Sequence, residues 1–242
     1  MGEVGDYRRL CSHHNKKMKR GKKYKAVAEK VEKNKLYSAE EAMAIVKQTK
    51  VAKFDESVEV HIKMSIDPKK GDQQVRAAVV LPHGIGKTAK VAVITSTKAT
   101  EAKEAGADFV GAEDLIEKIK LGKMDEVDVI VASPEMMPKL AAVAKILGPR
   151  GLMPSPKTDT VTDKIKEAVE MLKKGKLSFK NDNSGNVHQV IGKVSFDAKK
   201  LEENYVSFMD AIQKARPSGI KGKYVTAVSI CSTMGPGIKI SL

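Results

Sequence analysis

Apolar residues change their spacing twice along this 242-residue chain, and those two changes restrict its fold more than any other feature. Val58, Val60, Ile62, Met64 and Ile66 alternate with Glu59, His61, Lys63 and Ser65, so an extended chain there buries one face and wets the other. Asp67-Pro68-Lys69-Lys70-Gly71 has turn chemistry, and Val75, Ala77, Val79 and Leu81 alternate again, which predicts a hairpin with the first strand. After Leu81-Pro82-His83-Gly84 the rhythm becomes one of short apolar runs, Val91–Ile94, Asp108–Val110 and Val127–Val131, separated by helical stretches near 98–105, 113–120, 135–147 and 162–173. Strands alternating with helices in this way build βαβ units around a parallel sheet covered on both faces. From Leu177 the hairpin style returns: Asn181–Asn186 is a turn between two strands, and Asp197 opens a helix with the apolar stripe Leu201, Tyr205, Phe208 and Ile212. Tyr224–Ile230 is a final strand. The first and last thirds therefore share one architecture and the middle has another. The expected fold is α/β in two domains. An α+β outer domain, a discontinuous split βαβ unit, comprises residues 1–84 plus 177–242. A Rossmann-like three-layer α/β domain is inserted at 85–176.

Local signals support this division. Ser38-Ala39-Glu40-Glu41 is a capping box, followed by Ala39, Ala42, Met43 and Val46 at helical spacing, which predicts a helix over 39–49. Leu147–Pro156 carries three prolines and reads as a stiff loop, and the helix before Leu177 stops at Lys173-Lys174-Gly175. Pro82, Gly84 and Gly175 mark the two crossings between domains and are the expected hinge. From Arg8 to Lys35 there are twelve Lys and Arg against Glu29 and Glu32, a basic arm leading into a helix, with residues 1–17 expected to be a flexible tail.

Charge narrows the function. Lys and Arg number 44 against 30 Asp and Glu, for a net of +14. Residues 85–176 hold 16 basic and 14 acidic residues, a net of +2, which leaves +12 on the remainder. A polyanion is the expected partner, and the outer domain is expected to bind it. Hydrophobic residues at 41% suffice for a core, whereas aromatic residues at 4% disfavour a surface that reads nucleic acid mainly by base stacking. No apolar run approaches a membrane span, and no secretory h-region opens the chain. Cys11 and Cys231 do not make a disulfide framework and read as free thiols of a reducing cytosol.

Catalytic constellations are missing. Gly84-Ile85-Gly86-Lys87-Thr88 departs from a P-loop, because Leu81 stands where the first glycine belongs and a strand follows where a helix should open. Cys11-Ser12-His13-His14 lacks a second ligand pair for a metal, and the five histidines form no catalytic pattern. No catalytic residue, metal or cofactor is expected. Met136, Met137 and Met153 read as core filler. The competing readings are a nucleotide-binding enzyme using the middle domain and a basic protein of membrane surfaces or compacted DNA.

Five motifs carry a resemblance. Lys53-Phe54-Asp55-Glu56-Ser57-Val58-Glu59, Ile66-Asp67-Pro68-Lys69-Lys70, Leu81-Pro82-His83-Gly84, Leu147–Pro154 and Ser232-Thr233-Met234-Gly235-Pro236 stand in the order found in the bacterial form of the ribosomal protein L-one family, which the chain resembles from about Lys19 to Ile240. The resemblance implies an insertion of one domain into another and no catalytic activity. It also implies contact of the discontinuous domain with the mobile rRNA stalk of the large subunit, beside the tRNA exit site, where stalk motion accompanies release of deacylated tRNA. Bacterial members also repress translation of their own operon mRNA. The implied partners are rRNA, exit-site tRNA, that mRNA and the cytoplasmic ribosome.

The candidate RNA-binding residues are Lys53, Phe54, Glu56, Ser57, His188, Lys193, Ser232, Thr233, Met234 and Gly235. Lys53 can neutralise a phosphate with the apolar face of Phe54 beside it. Glu56 and Ser57 can bond 2′-hydroxyls, and the turn at Ser232–Gly235 exposes amides and a hydroxyl, with Gly235 allowing close approach of the RNA backbone. His188 and Lys193 extend the patch from the strand after the Asn181–Asn186 turn.

Overall fold

The computed structural model describes residues 20–32, 35–96, 98–122, 127–217, 219–220 and 222–241. The expected tail at 1–17 and the Cys11–His14 run lie outside them. The basic arm leads into helix α1 (Lys22–Ala28), which contributes no buried residue. Helix α2 (Ala39–Gln48) starts at the capping box read from the sequence: Glu41 N–H donates to Ser38 Oγ and Ser38 N–H donates back to the Glu41 carboxylate. It buries Ala42, Met43 and Val46.

Strand β1 (Ser57–Met64) keeps the alternation of its sequence, with Val58, Val60, Ile62 and Met64 buried. The predicted hairpin with β2 (Arg76–Val80) does not form. Instead β1 lies between two long antiparallel neighbours, β7 (Asn186–Lys193) and β8 (Val225–Ser232), with β9 (Ile238–Ile240) outside β8. These neighbours occupy both edges of β1, so β2 pairs elsewhere, antiparallel with β6 (Lys176–Lys180). A turn signal fixes where the chain reverses; it does not fix which strands pair when longer partners compete. Strand β9 was hidden in sequence by its length of three residues and by the glycines and proline before it.

Helix α8 (Ala198–Lys214) covers the inner face of the sheet with Leu201, Tyr205, Phe208 and Ile212, all buried. Phe208 meets Phe179 of β6 edge to face, with ring centroids 5.3 Å apart. Asp197 occupies the N-cap position, but its side chain makes no capping bond and instead lies 3.9 Å from Lys200 Nζ. The buried residues of this core come from 31–81 and 179–240.

Between those segments the chain forms a three-stranded parallel sheet in the order β4–β3–β5, from β3 (Val91–Ile94), β4 (Phe109–Gly111) and β5 (Val129–Ala132). All four residues of β3 are buried, because the strand is covered on both faces. Ala92 and Ile94 join one core with helix α4 (Glu113–Lys120). Val91 and Val93 join another with α3 (Ala99–Glu104) and α7 (Ile165–Lys173). Met136 is fully buried in the first of these, with Met137 and Met153 packed against it, so all three fill the core as expected. The helix expected near 135–147 is broken into a 3-10 turn at Pro134–Met136, α5 (Met137–Ala141) and α6 (Ala144–Leu147). Pro138 fits only a first helical turn, so the helix restarts there. Nothing local explains the second break at Val143. The Gly84–Thr88 run precedes a strand and not a helix, and Lys87 Nζ is paired with Asp128 Oδ1 at 2.8 Å. Both facts remove the phosphate-loop reading.

Gly84 and Gly175 approach each other closely. Gly84 has φ +62° and Gly175 φ +100°, and a Cβ on Gly175 would lie 2.8 Å from Gly84 Cα. Leu81 N–H donates to Gly175 O at 3.4 Å. The buried Asn204 of α8 fixes this junction: its Oδ1 accepts from His83 N–H, and its Nδ2 donates to Gly84 O and Ile191 O. Nearby, the 3-10 turn Pro156–Thr158 packs against β2, and Asp159 pairs with Lys176 at 2.7 Å. Asn204→Ala strands three backbone groups and is expected to destabilise the protein by roughly 2–4 kcal/mol, read as a lower urea midpoint.

Candidate nucleic-acid interface

Strands β1 and β8 run antiparallel with Val58 opposite Ser232, which brings the loop before β1 beside the turn after β8. The two residues are bonded reciprocally there: Thr233 N–H donates to Ser57 O at 3.1 Å, and Ser57 N–H donates to the side-chain hydroxyl Thr233 Oγ1 at 3.1 Å. Thr233 Oγ1 in turn donates to Ser57 O at 3.3 Å.

Glu56 joins the two segments. Its carboxylate accepts from Val51 N–H at 2.8 Å and Ala52 N–H at 2.6 Å through Oε1, and from Met234 N–H at 3.3 Å through Oε2. Burial works to raise its pKa, but Ser232 and the three amides outweigh it, so Glu56 ionises below the ordinary glutamate value. The buried Ser232 hydroxyl lies near that carboxylate without making a hydrogen bond of sound geometry. The expectation that Glu56 presents itself to ribose is therefore corrected: it is fully buried and faces inward. Ser232 is buried too, and Gly235 has an internal reason to be glycine, since a Cβ there would collide with Ser232 Oγ.

What the two segments expose is different. Lys53 is open to solvent, Phe54 is 56% exposed and Met234 is 54% exposed. Two apolar side chains stand in solvent on segments held to one carboxylate. Beside them Lys193 Nζ donates to Ser57 Oγ at 2.9 Å and lies 3.5 Å from Asp55 O, with no carboxylate partner among the described residues. The Asp55 carboxylate accepts from Ser195 N–H and Ser195 Oγ–H instead. Lys193 keeps an unneutralised charge next to Ser57.

His188 lies elsewhere on the sheet. It stands opposite His61, four residues along β1 from Ser57 and so about 13 Å away. The two Nδ1 atoms are 2.8 Å apart, and His61 Nε2 is 3.1 Å from Cys231 Sγ. Burial, then the neighbouring His188, lowers the His61 pKa against a smaller opposing effect of Glu59. Burial and Glu59 push the Cys231 thiol up to about 11, so it stays protonated. Sequence reading placed His61 on the wet face but missed its pairing with His188. No local signal reveals it, because the partner strand is more than a hundred residues away. Among the described residues no group of three His, Cys, Asp or Glu is arranged to hold a metal ion, and no helix is long and apolar enough to cross a membrane.

Comparison with known proteins agrees with the order of the motifs. Residues 46–236 match the profile of the Ribosomal protein L1p/L10e family. The chain is 52% identical to the large ribosomal subunit protein uL1 of Mycoplasma capricolum subsp. capricolum over 219 residues, covering 90% of this chain and 97% of the relative. It is 50% identical over 221 residues to the protein of that name from Mesoplasma florum, with 91% and 97% covered. For the protein of that name from Streptococcus gordonii the figures are 52% over 225 residues, with 93% and 98% covered. The chain belongs to the ribosomal protein L1p/L10e family and is a ribosomal protein, not an enzyme.

Proposed function

We propose that the protein is a component of the large ribosomal subunit in the cytoplasm. In this reading it grips the mobile stalk of large-subunit rRNA beside the tRNA exit site and assists release of deacylated tRNA. It also represses translation by binding a similar structure in its own operon mRNA. The stalk, the tRNA and the messenger rest on the motif resemblance. The observation that carries RNA binding at this face is the exposed pair Phe54 and Met234, fixed by Glu56 and flanked by Lys53 and the uncompensated Lys193. Lysines neutralise phosphates, while unstacked bases or ribose faces cover the apolar side chains. Ser57 and Thr233 offer hydroxyls, and His188 adds a ring farther along the same face. Glu56, Ser232 and Gly235 are positioning residues in this reading.

The functional division is between an outer domain of residues 1–84 plus 177–242, which binds RNA, and an inserted Rossmann-like domain of residues 85–176. Supporting it are the separate cores and the nearly neutral charge of the insert. Pro82, Gly84 and Gly175 form the hinge, where the glycine backbones touch.

Filter-binding titration with the rRNA stalk fragment tests the assignment. Phe54→Ala should lower affinity about 5- to 150-fold, from the roughly 1–3 kcal/mol of a base stacked on an aromatic ring, and Met234→Ala should lower it as well, each with the melting temperature unchanged. A melting temperature that fell in step with affinity would make these residues structural. Affinity that ignored salt, or equalled that for random duplex DNA, would remove RNA recognition altogether.

Glu56 gives a pH prediction. Its folded pKa is below the ordinary 4.5, so the unfolded chain binds the proton more readily. Its contribution is complete above pH 4.5 and is lost as pH falls through the lower folded value. Glu56→Gln should cost about 1–3 kcal/mol at neutral pH and flatten the acid limb of stability, measured by urea unfolding across that range. RNA affinity should fall with it, because the amides of Val51, Ala52 and Met234 lose the ionised acceptor they share.

A further inference from the structure

We infer that the outer face of the four-stranded sheet carries a second RNA subsite, one for ribose and phosphate, centred on Lys239, Ser229 and Lys223. This inference rests on the reading of the chain as an RNA-binding protein and extends it beyond the Phe54–Met234 edge.

Strand register supplies the geometry. His188 lies opposite His61, His61 opposite Ser229, and Ser229 opposite Lys239, so one polar row crosses all four strands. Residues directly opposite in antiparallel strands share a face. Lys63, two residues beyond His61, points the same way and is exposed. Past this row the sheet opens into a groove of about 370 Å³ whose polar lining is Lys223, Thr226, Ser229, Lys239 and Ser241.

The lining selects the occupant. It offers two ammonium groups and three hydroxyls around an apolar floor of Leu36, Ala227, Val228 and Ile240, but no carboxylate. Residues 211–242 contain five Lys and Arg and no Asp or Glu. Lys63, Lys223 and Lys239 have no ion-pair partner among the described residues. The acids near this face are Asp182, 3.6 Å from His188 at the far end of the row, and Glu59, one row away beside Cys231. Lysines facing phosphates and hydroxyls facing 2′-hydroxyls match a ribose-phosphate backbone. From Ser57 to Lys63 the face runs about 20 Å, long enough for the RNA held at Phe54 and Met234 to continue along it.

The double variant Lys223→Gln/Lys239→Gln tests this with the full chain and the rRNA stalk fragment, titrated by filter binding over a range of salt. Each lost phosphate contact lowers the slope of log affinity against log salt by about 0.7–0.9, so the double variant should be shallower by roughly 1.4–1.8. Its melting temperature should be unchanged, and hydroxyl-radical footprints should lose the nucleotides lying over the groove. Met234→Ala, in contrast, should lower affinity without changing the slope. A double variant with the slope and footprint of the wild type overturns the inference while leaving RNA binding intact. A wild type that does not prefer the stalk fragment over duplex DNA overturns both. A defect seen on ribosomal subunits but not on naked RNA assigns the groove to a protein and also overturns it.

Discussion

One buried carboxylate holds the candidate interface together. The amides at residues 51, 52 and 234 converge on Glu56, and none of them has a strand or helix partner that would otherwise fix its segment. Solvating that carboxylate with backbone donors costs little reorganisation, because β1 and β8 already bring the two segments into line. The apolar side chains of Phe54 and Met234 then remain in solvent by construction: the backbone that carries them is tied down, and the side chains have nowhere inward to go. Exposed apolar residues on ordered backbone present a surface whose ordering cost has been met before any partner arrives.

Electrostatics follows the same layout. The middle of the chain is nearly neutral, and several of its charged groups pair with one another, as with Lys87 and Asp128 or Lys139 and Glu113. The outer sheet face keeps several lysines without acidic partners. An attractive field concentrated on one part of a molecule orients it during approach to a polyanion, so the charge works on encounter as well as on the bound state.

Much of this was legible in the sequence wherever the determining interactions were local. The Ser38–Glu41 box, the alternation of β1, the four-residue buried strand of β3 and the stripe on α8 were all visible, since each depends on residues a few positions apart. Strand partnership was not. The turn at Asp67–Gly71 suggested β1 with β2, while the actual neighbours of β1 begin at Asn186 and Val225. Glu56 failed for the same reason: its polarity suggested solvent, and the donors that bury it lie partly 178 residues away. His61 reads as an ordinary wet-face residue until β7 places His188 against it.

The position of β1 between late strands also orders events in time. During synthesis β1 emerges long before β7 and β8, so for most of elongation it has no native neighbour, while the β3–β4–β5 sheet can close as soon as Val129–Ala132 is made. The edge that carries Phe54 and Met234 exists only after Met234 has been added, because it joins segments from both ends of the chain. A ribosome that stalls partway through this message releases a fragment able to fold its middle and unable to assemble the grip around Glu56.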